Sequence, residues 1–95
     1  MEDEKKIELL KTSWEIHNQV ETAYLNHKAK QGDDTWLEKQ RFLLADMALH
    51  LLQTSIKPGE LELIRLRDNL HAILTISNAF LPQTGLEKAT ERLYK

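Results

Sequence analysis

The stretch "FLLADMALHLL", residues 42–52, constrains the fold more than any other part of this chain. Its apolar residues do not alternate with polar ones, so it does not read as a half-buried strand. Wound as a helix, it carries apolar side chains in nearly every direction. Such a helix needs cover on more than one side. It is therefore either the central helix of the fold or part of an interface between copies. Only Asp46 and His50 interrupt it, one turn apart, on a narrow strip with Lys39 and Gln53. A carboxylate on so apolar a helix is costly unless it is paired. His50, four residues on, is its natural local partner.

The flanking segments have the same period. Ile7, Leu10, Trp14, His17, Val20, Tyr24 and His27 follow one another at three or four residues, predicting a first helix over about 3–30. Leu9, Ile16 and Ala23 widen its stripe, and Trp14 falls on the core side. Acidic Glu2, Asp3 and Glu4 open this helix, and Lys28 and Lys30 close it, each sign matching the helix dipole. Gly32 is the expected stop. Thr35 and Glu38 have the spacing of a capping box for the second helix, which runs to about residue 55. A third helix is expected over 58–80, with a stripe of Leu63, Leu66, Leu70, Ile73, Ser77 and Phe80 suited to a bundle seam. A fourth, short one is expected over about 85–94. The reading is one all-α domain spanning 1–95: three long helices, up-down-up, with a short C-terminal fourth.

Residues 81–85, "LPQTG", resemble the Leu-Pro-x-Thr-Gly signal by which transpeptidases anchor proteins to Gram-positive cell walls. That resemblance implies an apolar membrane segment and a basic tail directly afterwards. The residues after Gly85 instead read "LEKATERLYK", a polar amphipathic decamer. A local reading accounts for the same residues. Pro82 disfavours helix at Leu81, and Thr84 with Glu87 has the spacing of a second capping box. The acidic start "MEDEKK" differs from the basic, then apolar, pattern of an export signal. With no cysteine in the chain, the expected location is the cytoplasm.

Three histidine–carboxylate pairs stand out: His17 with Glu21, Asp46 with His50, and Asp68 with His71. Residues three or four apart share a helix face, so each pair can offer two ligands to one ion. Imidazole plus carboxylate suits zinc or iron. Di-iron bundles repeat Glu-x-x-His; here "DNLH" has that spacing once, with Asp for Glu. Local salt bridges explain the pairs more simply, so neither a metal nor another cofactor is expected from spacing alone. The chain shows no nucleophile motif and no glycine-rich phosphate loop, so catalysis is not expected. Lys28, Lys30, Lys39 and Arg41 are interleaved with Asp33, Asp34 and Glu38. With a net charge of −2, this argues against nucleic acid.

The remaining class is macromolecular binding, as an adaptor, inhibitor, chaperone or regulator, with self-association into a homo-oligomer. Leu44, Ala48 and Leu51 are expected to face the first and third helices. Trp36, Phe42, Leu49 and the Asp46/His50 strip are the expected interaction residues, Trp36 as an anchor in the first turn of its helix. In size and helicity the chain is similar to the bacteriocin immunity proteins, which are four-helix bundles, though it shares no motif with them. Two rivals come from other classes. One is a metal-dependent enzyme or metal sensor using the histidine–carboxylate pairs. The other is a small-ligand binder, for a nucleotide or metabolite, with a pocket between protomers lined by Tyr24, His27, Arg65 or Arg67.

Overall fold

The computed structural model describes residues 3–94. It has the expected all-α fold of four helices, α1 (Asp3–Asn26), α2 (Trp36–Ile56), α3 (Leu63–Ser77) and α4 (Leu86–Arg92), and no strand among the described residues. Contacts across the first seam pair early residues of α1 with late ones of α2. Trp14 meets His50, His17 meets Asp46, and Tyr24 meets Lys39. That order makes α1 and α2 antiparallel. Asn69 of α3 donates to Thr54 of α2, and Lys57 pairs with Glu62 across the turn, so α3 reverses direction again.

α1, α3 and α4 end inside the expected limits, for local reasons, and α2 runs one residue past its expected end, to Ile56. α1 stops at Asn26, four residues short of Lys30. There the His27 Nδ1 accepts from the Ala29 N–H at 3.2 Å, drawing the chain out of the helix. Lys28 and Lys30 therefore lie beyond the last turn. α3 starts at Leu63 because Gly59 takes a left-handed φ of 96°, which turns the chain before any helix can begin at Pro58. Its last turn ends at Ser77; Ala79 and Phe80 make tighter i→i+3 bonds instead.

Neither capping box forms. Thr35 does occupy the N-cap of α2, but its side chain makes no capping bond, and Glu38 pairs with Arg41 at 2.9 Å. At α4 the N-cap is Gly85, and Thr84 Oγ1 donates back to the Leu81 carbonyl at 2.7 Å. With Gly85 rather than Thr84 at the N-cap, the Thr84 oxygen is not placed to accept from the first-turn N–H groups. Residues 81–84 are exposed.

Each helix packs on the next, and among the described residues α1 and α3 do not touch. The bundle is open along one side. The chain spans 44 × 35 × 15 Å with a radius of gyration of 15.1 Å. A compact chain of this length would have a radius of about 12 Å. Among the described residues, Ala29 is the only buried hydrophobic one, at 7% exposure. The buried residues are otherwise polar: Ser13 and His17 on α1, and Gln40, Asp46 and Gln53 on α2. Trp14, expected in the core, is 48% exposed, because the third wall that would cover it is missing. On α2, Leu44 and Leu51 are half-buried, whereas Ala48, expected to face the neighbouring helices, is exposed.

Candidate functional site

The α1–α2 seam brings together residues that look unrelated along the chain. Ser13 and His17 are one turn apart on α1 and point at α2. Asp46 and His50 are one turn apart on α2 and point back. His17 Nε2 lies 2.7 Å from Asp46 Oδ1 and 3.2 Å from His50 Nε2. Asp46 Oδ2 is 3.8 Å from His50 Nε2, and Glu21 Oε2 is 3.6 Å from His17 Nε2. One nitrogen thus has three polar neighbours.

The hydrogen bonding does not saturate these groups. The two Nε2 atoms share one hydrogen bond. An imidazole nitrogen carries at most one proton and can direct it at one acceptor. Asp46 Oδ1 is close to His17 but lies off the N–H direction, and it has no hydrogen-bond donor. His17 Nδ1 is likewise buried without a partner. An orphaned buried polar atom costs about 1–3 kcal/mol. Two of them sit within one small cluster.

Trp14 roofs the cluster. Its indole meets the His17 ring edge-on at 5.0 Å and the His50 ring at 6.4 Å. Beside it, a cavity of 460 Å³ occupies the notch where α1 and α3 fail to meet. Leu10 and Trp14 form one wall, His50, Gln53 and Thr54 the floor, and Arg65, Asp68 and Asn69 the other wall. His50, with 36% of its side chain exposed, joins the cluster to this opening.

The expected interaction residues separate. Asp46 is buried against α1 and serves the interior rather than a surface. Trp36 and Leu49 are half-buried, and Phe42 is 36% exposed with its ring tilted against His27. Of the residues expected around a small ligand, Arg65 lines the cavity. Tyr24 and His27 lie at the other end of α1, against Lys39 and Phe42. The third histidine–carboxylate pair stands apart from the cluster. Asp68 accepts from the Tyr94 hydroxyl at 2.7 Å, and His71 packs edge-on against the Tyr94 ring. That hydrogen bond is the main reason the Asp68 carboxyl is held below its usual range and the Tyr94 phenol is raised above its own.

Pairing within α1 and within α2 was legible from spacing, whereas Asp68 turns to Tyr94 and Arg67 rather than His71, and the junction between helices was not legible. It depends on the α1–α2 register, which sets His17 opposite Asp46. None of the family models, curated proteins or solved structures compared with this chain matches it. No helix among the described residues is long and apolar enough to cross a membrane.

Proposed function

We propose that this protein acts by macromolecular binding, as an adaptor, inhibitor, chaperone or regulator, and that it self-associates to close its open bundle. The observation that carries this reading is unsatisfied surface. The chain exposes 7018 Å². A compact monomer of 11.1 kDa exposes about 5,650 Å², leaving a surplus of about 1,400 Å². A standard interface buries about 800 Å² on each partner, and obligate dimers bury more. The surplus is of the size a permanent contact removes from water.

The chemistry of that surface supports the same reading. On α2, Leu37, Ala45, Ala48 and Leu52 are exposed and fall on one side of the helix, away from Asp46. Leu61, Leu63 and Ile64 are exposed around the start of α3, the last two at 70% and 67%. A two-fold contact would repeat each patch on both chains. Sedimentation velocity on the full chain tests this. A dimer or larger assembly at micromolar concentration is expected; a monomer at high micromolar concentration removes the self-association part of the reading.

A further inference from the structure

We infer that His17, Asp46 and His50, with Glu21 at the mouth, form a binding site for a divalent first-row transition-metal ion, zinc foremost. The inference stands on the α1–α2 seam alone and does not depend on self-association.

The donor set comes first. Two imidazole nitrogens and a carboxylate oxygen converge, with all three ligand atoms within 4.8 Å of one another. Nitrogen and carboxylate donors of this kind suit zinc, and a two-histidine, one-carboxylate set also suits ferrous iron. Glu21, half-exposed on the turn after His17, supplies a fourth donor on the solvent side. Each helix then contributes an i,i+4 pair, so one ion would tie α1 to α2.

Spacing is the second argument. Donors around a tetrahedral ion at roughly 2.0–2.1 Å lie about 3.3 Å from one another. The separations of 3.2 Å between the imidazole nitrogens and 3.6 Å from His17 to Glu21 bracket that value, and the second Asp46 oxygen, Oδ2, lies 3.8 Å from His50. The 2.7 Å approach of Asp46 to His17 is tighter and needs a small rotation of the carboxylate.

Burial is the third. His17 and Asp46 are 6% and 8% exposed, yet Asp46 Oδ1 has no hydrogen-bond donor. An ordinary buried ion pair directs an N–H at each carboxylate oxygen, because an unmet buried charge is expensive. Here that unmet oxygen and two imidazole nitrogens gather around one point of the seam, within 4.8 Å of one another. A cation at that point satisfies the carboxylate and removes the need for either imidazole to donate.

Cobalt(II) is the first probe, since it takes zinc sites and absorbs in the visible. Titrating the full chain with cobalt is expected to give one saturable band at one ion per chain, displaced by zinc. Zinc should also raise the melting temperature, because it binds the folded seam. His50→Gln, at the half-exposed ligand, should keep the helical circular dichroism. It should weaken zinc binding by more than the roughly 10–100-fold lost when a group outside the ligand set is removed. Glu21→Gln should weaken it less, and His71→Gln should leave it unchanged. Absence of a saturable cobalt band in the wild type overturns the site. So does binding that survives both His50→Gln and Asp46→Asn undiminished.

Discussion

His17 Nε2 and His50 Nε2 lie 3.2 Å apart across the α1–α2 seam, with their rings nearly perpendicular at 85°. Thirty-three residues separate them along the chain. The contact makes the centre of the molecule polar where a small bundle normally places leucine. It also explains why Leu37, Ala45, Ala48 and Leu52 of α2 lie outward. The strip holding Asp46 and His50 takes the position facing α1, and the remaining faces must find cover elsewhere.

Asp46→Ala in metal-free buffer removes a buried carboxylate oxygen that no donor meets, so it is expected to stabilise the fold by roughly 1–3 kcal/mol. Glu21→Ala touches the same histidine from a half-exposed position and should stay within about 0.5 kcal/mol in metal-free buffer. Urea denaturation of both variants with a chelator present makes the comparison. Equal effects, or a loss of stability in Asp46→Ala, would mean that the unmet oxygen costs the metal-free fold nothing.

The C-terminal helix is held by a pair that titrates at both extremes. Asp68 accepts from Tyr94, and Arg67 sits over the Tyr94 ring at 4.3 Å. The Asp68 carboxyl is lowered, so its contribution is present above the unfolded value near 4 and is lost as pH falls through the folded one. The Tyr94 phenol is raised, so its contribution is present below about 10 and is lost as pH rises through its folded value. Hydrogen exchange of α4 amides, corrected for intrinsic rates, should show most protection between these limits. Asp68→Asn should remove the acid-side loss; unchanged acid-side behaviour in that variant would assign it to another group.

Gly59 takes a φ of 96° in the turn that delays the start of α3. An added Cβ would meet no atom within 4 Å, so any effect of substitution comes from backbone strain rather than from a clash. Gly59→Ala should therefore cost on the order of 1–2 kcal/mol. Thermal melts would show this as a lower midpoint with an unchanged circular dichroism spectrum. A neutral result would mean that the turn relaxes to an ordinary φ.

The helices were legible because 3–4 spacing survives in every segment. Their ends were less so. Thr35 and Thr84 match capping-box spacing, but spacing does not say which backbone group a hydroxyl will choose, and Thr84 chose Leu81. Gly59 signalled a turn, yet Pro58 beside it looked equally suited to begin a helix. The site was half legible. His17/Glu21 and Asp46/His50 are visible as pairs, whereas their meeting requires the antiparallel register of α1 and α2. Trp14 was misplaced because its stripe position predicts a covering wall, and α3 does not reach α1 to provide one.

Self-association should respond to charge on the outward side of α2. Leu52 is 43% exposed on the same side as Ala45 and Ala48, while Leu49 is half-buried on an adjoining flank. Covering an exposed leucine fully contributes about 1.5–3 kcal/mol, and a two-fold contact counts each residue twice. Leu52→Asp removes that contribution and adds a carboxylate that would have to be desolvated. The variant should sediment as a monomer at concentrations where the wild type is associated, with its helical content retained. Leu49→Asp tests the flank nearer Asp46. If only Leu49→Asp dissociates the assembly, the contact runs along the side holding Phe42 and Leu49. If Leu63→Asp acts and neither α2 variant does, it runs over the start of α3. Should all three leave the wild-type assembly intact, none of these exposed patches is where the copies meet.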